Sequence, residues 1–271
     1  MLIPTSPKTA AVIRAGGVID YSCASEGYIT AQYASNPDKR CVLQVFADYR
    51  SQRFTLPSDG TAKVIPLCFG DGAYRVIMYR QISGDTYSTL MTASFYAELR
   101  DEHLPFLYPN TYCEFTAESR CVNVAKKVCK GKKTDFDKFE SIYWYVLNNI
   151  EYDKQFAGEV RAGEHKFWIP NPDDVINSGK GICWGYASLT AAMCRAVDIP
   201  CKICVGYVGS QYHAWTEVYL EHSGEIHGLK YESGKYNLTD LTFLDSANTQ
   251  TIPAIVDYMQ QNGNYVTEYY G

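Results

Sequence analysis

The sequence lacks several features that would assign a chain to a broad class at once. It contains no stretch of about eighteen consecutive apolar residues, so we expect no transmembrane segment. The N-terminal residues MLIPTSPKTA lack the continuous apolar core of a signal peptide, so either the protein stays inside the cell or its leader has been removed. No block of Lys and Arg stands out and the formal net charge is −5, which argues against a nucleic-acid partner.

The cysteines, ten in number, lack the spacing of a metal site or of a small disulfide scaffold. One CxxC, Cys201-Lys202-Ile203-Cys204, lies in the apolar run CKICVGYV, which is typical of a strand. Residues three apart on a strand point to opposite faces, so we interpret these thiols as packing residues rather than a redox pair. No second CxxC or His pair completes a zinc site, and no acidic loop has the spacing of a calcium site. We therefore expect no metal and no cofactor.

What is present is an ordinary globular composition. The 271 residues are 46% apolar and 20% charged, enough for one large domain or two modest ones. From Val18 to Phe95, short runs rich in Val, Ile, Tyr and Thr alternate with turn residues, and Ser83-Gly84-Asp85 joins two alternating runs as a hairpin turn would. This pattern predicts an antiparallel β-sandwich-like domain over residues 1–100, which carries no catalytic grouping and is interpreted as a spacer or binding module.

Helical periodicity begins after residue 100 and predicts an α+β domain over residues 101–271. Thr134 and Asp137 are spaced as an acidic capping box, which predicts the start of a helix. The expected elements are a connecting segment at 101–117, a helix at 118–130, a helix from Thr134 to Ile150, a loop at 151–180, a helix from Ile182 to Val197, and strands near 202–208, 212–220 and 236–244.

Cys183 lies at a position where the backbone can make a thiol more reactive. It follows the segment Gly179-Lys180-Gly181 and opens a predicted helix. At a helix start, unpaired backbone N–H groups and the positive end of the helix dipole stabilise a thiolate. The same N–H groups can bind the oxyanion of a tetrahedral intermediate. A cysteine at a helix start is by itself most often a small packing residue, so a catalytic assignment depends on its partners.

The sequence supplies a base and a carboxylate further along. His213 lies in QYHAWTEVYL, and Asp240 lies in YNLTDLTF, which is interpreted as a later strand able to pair with the histidine strand. Such a set lets His213 hold the thiolate as an ion pair and then protonate the leaving amine. Asp245, in FLDSAN, is an alternative third member.

Three motifs in this order resemble the core of the transglutaminase-like superfamily, which has a papain-like, cysteine-proteinase-like fold. They are GKGICWGYASLTAAMCRAVDIPCKICVGYV, HAWTEVYL and GKYNLTDLTF. Upstream, TDFDKFESIYWYVLNNIEYD is similar to the family helix that ends in an Ile-x-Tyr-Asp signature. The resemblance covers residues 115–245, and the N-terminal part resembles the β-domain that precedes this core in some bacterial members.

The resemblance implies that Cys183 is the nucleophile, His213 the base and Asp240 the residue that orients the base. Asp240 is preferred to Asp245 because its flanking residues follow the family pattern. The sequence departs from that pattern at Leu241, where the family commonly has proline, and in the long span between the histidine and the aspartate.

Further candidates surround the nucleophile. Asn177, or a tyrosine or tryptophan from residues 152–168, could donate a hydrogen bond to the oxyanion. Trp184 and Trp215 are expected to wall the catalytic pocket, although core packing also explains them.

The implied chemistry is thiol-dependent acyl transfer on amide bonds, without a cofactor. Hydrolysis of a peptide or protein, including cell-wall peptides, is the leading interpretation. Protein-glutamine gamma-glutamyltransferase cross-linking is one alternative, and a non-catalytic cell-surface binding or scaffold protein is another. The resemblance also favours an extracellular or cell-surface location.

Overall fold

The computed structural model describes residues 1–35, 39–165, 168–247, 250–261 and 263–271. The chain divides into two compact units, one of residues 4–105 and one of residues 106–271 together with Met1–Ile3. The predicted boundary after residue 100 lies a few residues before this division. Among the described residues, no helix combines the length and the apolar character needed to cross a bilayer.

The first unit consists of two four-stranded antiparallel sheets, with strand orders β1-β2-β3-β6 and β5-β4-β7-β8. Alternation places every second residue of β4 in the core, as expected for a strand with one buried face. Gly17 shows how closely the sheets approach, because an added Cβ would lie 2.5 Å from the Met91 side chain and 2.8 Å from that of Met78. The strands are β1 (Ala11–Arg14), β2 (Gly17–Asp20), β3 (Tyr28–Tyr33), β4 (Cys41–Ala47), β5 (Arg50–Leu56), β6 (Lys63–Pro66), β7 (Gly72–Ser83) and β8 (Thr86–Ala97).

The hairpin predicted at Ser83-Gly84-Asp85 is confirmed, since it connects β7 to β8 and Ser83 pairs with Thr86. Strands β1 and β5 are not among the predicted strands. In β5 the buried positions Gln52, Phe54 and Leu56 alternate with exposed polar or charged residues. The segment therefore contains too few apolar residues to resemble a strand in the sequence.

The second unit carries a four-stranded antiparallel sheet with strand order β15-β12-β11-β16 and helices packed against it. Its helices are α1 (Arg120–Val128), α2 (Asp135–Asn149), α3 (Lys154–Arg161), α4 (Pro172–Ser178), α5 (Cys183–Ala196), α6 (Leu241–Asp245) and α7 (Ile252–Gln260). Its strands are β9 (Glu151–Tyr152), β10 (Lys180–Gly181), β11 (Cys201–Val208), β12 (Gln211–Leu220), β13 (Gly224–Ile226), β14 (Leu229–Tyr231), β15 (Lys235–Thr239) and β16 (Tyr265–Tyr270). The first unit is built from antiparallel sheets and the second from helices and a sheet, which confirms the predicted α+β class.

Helix α2 begins with the predicted capping box. Thr134 accepts a hydrogen bond from the backbone N–H of Asp137, and the Asp137 side chain accepts one from the backbone of Thr134. The buried face of the helix, which includes Phe139, Tyr143 and Val146, packs against α5. Helix α5 is itself almost entirely buried, so it forms the centre of this unit.

Two local predictions differ from the structure. Residues 151–180 are predicted as a loop, but β9, α3, α4 and β10 lie there, and Asp153 and Asn171 cap the two helices with their side chains. The strand predicted near 236–244 is confirmed only in its first half, since β15 covers Lys235–Thr239 and α6 follows. The long span before Asp240 is taken up by the β13–β14 hairpin.

Candidate active site

The chain around Cys183 is held so that the thiol opens α5. Helix α4 ends at Gly179, which adopts a left-handed φ of 67°, and β10 then pairs with β9 before the chain turns into α5. Ile182 precedes the helix in an extended conformation, and no side chain caps the first turn. The half-buried Cys183 therefore meets the uncapped, positive end of the helix, as the sequence predicted.

His213 and Asp240 form a buried pair. His213 lies on β12, and Asp240 directly follows Thr239, which pairs with Thr216 of β12. The Asp240 Oδ2 atom lies 2.7 Å from His213 Nε2, and the two residues are only 1% and 3% exposed. Asp240 does not lie on a strand as predicted, but is the N-cap of α6.

The cap fixes the carboxylate. Asp240 Oδ1 accepts hydrogen bonds from the backbone N–H groups of Thr242 at 3.1 Å and Phe243 at 3.3 Å, which leaves Oδ2 for the imidazole. One oxygen thus anchors the carboxylate to the helix start while the other holds the ring. The orientation of the histidine is set by backbone geometry.

The environment of His213 favours the imidazolium. Burial alone lowers the pKa of His213, but the hydrogen bond to Asp240 and then the neighbouring Cys183 side chain raise it, with a net value of about 10. The second ring nitrogen, Nδ1, is buried and makes no hydrogen bond within the described part of the chain. Cys183 is thus close enough to act on the imidazole, although the described residues show no hydrogen bond between the two, which is common for catalytic pairs before substrate binds.

Aromatic rings enclose the imidazole. Phe243 stacks on it with ring centres 5.0 Å apart, and Trp215 lies parallel at 6.4 Å. Trp215 is fully buried, so it packs the core as well as the ring. Trp184 is half-buried and lies between Tyr112 and Trp168, with ring centres 5.9 and 6.1 Å away.

Two other sequence candidates lie away from the histidine. The pKa of Asp245 is raised by burial, and its recorded partners are the Tyr186 side chain and the Tyr152 backbone rather than His213. Asn177 is exposed on α4, where its Oδ1 accepts a hydrogen bond from Arg120 at 2.6 Å. The described contacts thus bring Asp240, and neither of these two side chains, to the imidazole.

Three tyrosines also lie near the site, and the sequence pointed only to the range that contains one of them. Burial raises the pKa of Tyr152 and of Tyr212, and the nearby Cys183 adds to both shifts. Tyr152 therefore lies near the thiol, within the 152–168 range named above; Lys166 and Phe167 of that range fall outside the described residues. Tyr265 donates a hydrogen bond to Asp240, and no local signal in the sequence marks it.

Within the described residues, one group has the composition of a metal site. Glu159, Glu164 and His165 bring their ligand atoms within 4.8 Å of one another at the surface. Glu159 and His165 already pair at 2.9 Å, so an ion pair accounts for the cluster.

Comparison with known proteins matches residues 122–227 to the Transglutaminase-like superfamily. Over 169 residues the chain is 27% identical to mouse kyphoscoliosis peptidase, covering 56% of this chain and 25% of that protein. Over 142 residues it is 28% identical to the human kyphoscoliosis peptidase, covering 48% and 19%. The chain thus spans a quarter or less of the curated relatives that it matches.

Among solved structures, a Cytophaga hutchinsonii protein described as a candidate cysteine protease aligns with a TM-score of 0.41 and 17% identity, covering 80% of this chain and 74% of that one. The family match includes the nucleophile helix and the histidine strand but ends before Asp240. The second unit of the chain is therefore similar to the Transglutaminase-like superfamily over residues 122–227.

Proposed function

We propose that the protein is a thiol-dependent peptidase in which Cys183 is the nucleophile, His213 the acid–base group and Asp240 the residue that orients it. The observation that carries this proposal is the buried hydrogen bond of 2.7 Å between His213 and Asp240, beside a thiol at an uncapped helix start. The name of the curated relatives, which are peptidases, supports hydrolysis as the outcome.

The proposed reaction begins with the thiolate of Cys183. It attacks the carbonyl carbon of an amide bond, and the negative charge that develops on the carbonyl oxygen is stabilised by backbone N–H groups of the first turn of α5. The imidazolium of His213 then gives its proton to the leaving amine as the C–N bond breaks, which leaves an acyl group on the sulfur. His213 next takes a proton from water, whose oxygen attacks the thioester and releases the acid.

The contacts of His213 determine which ring nitrogen transfers the proton and keep the imidazole charged before substrate binds. Because Asp240 holds Nε2, the proton exchanged with thiol and substrate must be carried on Nδ1, the nitrogen that has no hydrogen-bond partner among the described residues. The raised pKa of His213 keeps the ring protonated in the free enzyme, before substrate binds. Stacking by Phe243 and Trp215 limits the ring to small motions.

The test uses casein as an unfolded protein probe and measures the release of new amino termini. Cys183→Ala should abolish release, whereas Cys68→Ala, which removes the other half-buried thiol, should not. Equal release by the two variants, or no release by the unaltered protein, would contradict the peptidase proposal. A parallel incubation of casein with a labelled primary amine distinguishes hydrolysis from cross-linking, because incorporated label would show that an amine, not water, accepts the acyl group.

A further inference from the structure

We propose that Tyr265 is a positioning residue of this site, which acts on His213 through Asp240; this inference rests on the proposed function. Tyr265 opens β16, outside the family match and beyond every motif that marks the site in the sequence. It donates its phenolic O–H to Asp240 Oδ2 at 2.9 Å. That oxygen is the one that holds His213 Nε2.

The hydrogen bonds at Asp240 divide the carboxylate into two halves. Oδ1 is anchored by two backbone N–H groups of α6, and Oδ2 is shared between the imidazole and the phenol. A neutral donor on Oδ2 draws charge away from the carboxylate, so it weakens the hold of Asp240 on the imidazolium. Tyr265 therefore limits the pKa of His213, and it also prevents Oδ2 from swinging away from the ring.

The fold holds the phenol firmly. Tyr265 pairs with Val208 in the sheet, and its ring meets Trp215 edge-to-face at 5.0 Å. Strand β16 can approach β11 only because residue 206 is glycine, since a Cβ there would lie 2.0 Å from the carbonyl oxygen of Val266. The approach coincides with a β-bulge at Val205/Gly206. A local distortion of the sheet thus accompanies the strand that delivers the phenol.

Few titratable groups face this arrangement. Cys183 of α5 and Asp240 act on the imidazole, and Tyr258 of α7 lies against Tyr265 with ring centres 6.4 Å apart. Burial and the neighbouring Asp240 carboxylate raise the pKa of Tyr265, so the phenol stays protonated as a donor wherever the site works. Tyr258→Phe is therefore a matched control, because it removes a hydroxyl from the adjacent ring but none from Asp240.

The experiment follows the His213 imidazole by proton–nitrogen NMR across a pH series. We expect Tyr265→Phe to raise its titration midpoint by about half a pH unit to one unit, because the carboxylate loses a competing donor. Tyr258→Phe should leave the midpoint unchanged. In an Asp240→Asn background, Tyr265→Phe should no longer shift it, since the phenol acts through the carboxylate.

An unchanged midpoint in Tyr265→Phe would overturn the inference, and so would an equal shift in both backgrounds. If Tyr265→Phe fails to fold, the unaltered protein still decides, because the phenolic proton should give a downfield resonance that Asp240→Ala, which removes both acceptor oxygens, abolishes. A resonance that persists in Asp240→Ala would contradict the inference. This measurement needs no substrate, so it can succeed or fail separately from the peptidase assay.

Discussion

The two ends of helix α5 carry the same residue type in opposite settings. At the first position, Cys183 is half-buried beside an imidazole. Near the last turn, Cys194 is completely buried, and burial raises its pKa well above the ordinary thiol value. We propose that the surroundings, rather than the cysteine itself, make the Cys183 end of α5 chemical and the Cys194 end structural.

The residue after Cys194 shows what the structural end does. Arg195 is fully buried and donates hydrogen bonds to the backbone carbonyls of Cys201, Tyr108 and Gly271, at 2.7 to 3.1 Å. It joins the helix end to the start of β11, to the segment before α1 and to the last residue of the chain. Substitutions at the two ends should therefore separate loss of turnover from loss of stability.

The largest effect is expected at the chemical end, from Asp240→Asn compared with Asp245→Asn. The first should lower the rate of casein cleavage by about 10²- to 10⁴-fold, because an amide no longer holds the imidazole in its reactive form. The second should leave the rate near that of the unaltered protein, since in the described part of the chain Asp245 contacts Tyr186 and the Tyr152 backbone rather than His213. Initial rates of the three proteins decide the matter. A larger loss in Asp245→Asn would transfer the orienting role to that residue.

At the structural end, Arg195→Met should lower the free energy of unfolding by about 3 to 5 kcal/mol, because it leaves buried carbonyl groups without donors. Denaturant unfolding measures this value. Arg195→Lys keeps the charge but loses the forked geometry, so its loss should be smaller than that of the methionine variant. Equal stability of all three proteins would show that the buried guanidinium has no structural role.

The pH dependence of stability should reveal the charged histidine. Since the folded pKa of His213 is raised to about 10 from an ordinary value of 6.5, its contribution is complete below the unfolded pKa and is lost as pH rises towards 10. Denaturant unfolding at several pH values should show a decline on the order of a few kcal/mol over that window. His213→Gln is the control, because groups that titrate elsewhere remain in it. The same slope in both proteins would contradict the raised pKa.

The smallest effect is expected at Cys194. Cys194→Ala should cost about 1 to 2 kcal/mol of stability through lost packing, and Cys194→Ser should cost more because it buries a hydroxyl. Neither variant should change casein cleavage when assayed while folded. A strong loss of cleavage in folded Cys194→Ala would remove the distinction between the two helix ends.

Local chemistry explains which parts of the fold were predictable. The capping box at Thr134, the turn at Gly84 and the helix start at Cys183 each depend on neighbours in sequence, and the structure has all three. Helices α3 and α4 were missed because prolines and glycines around them favour loops. Asp240 was expected on a strand because YNLTDLTF is rich in residues that strands also prefer, and its capping role arises only where α6 begins.

The meeting of His213 and Asp240 could be predicted from the sequence, but the network around them could not. The order of the motifs around Cys183, His213 and Asp240 suggested their convergence, whereas Tyr265 and Phe243 join through tertiary packing that no spacing reveals. The oxyanion role of Asn177 stays a prediction, and its Oδ1 accepts a hydrogen bond from Arg120. Which side chains complete a site depends on how distant strands meet.

Whether Cys183 and His213 form a charged couple can be decided by the rate at which iodoacetamide alkylates each of the ten cysteines near neutral pH, resolved by peptide mass mapping. A thiolate held beside an imidazolium at a helix start should make Cys183 react first, at least about tenfold faster than the half-buried Cys68. His213→Gln should remove that advantage. Alkylation of Cys183 no faster than that of Cys68 would contradict the charged couple on which the proposed function depends.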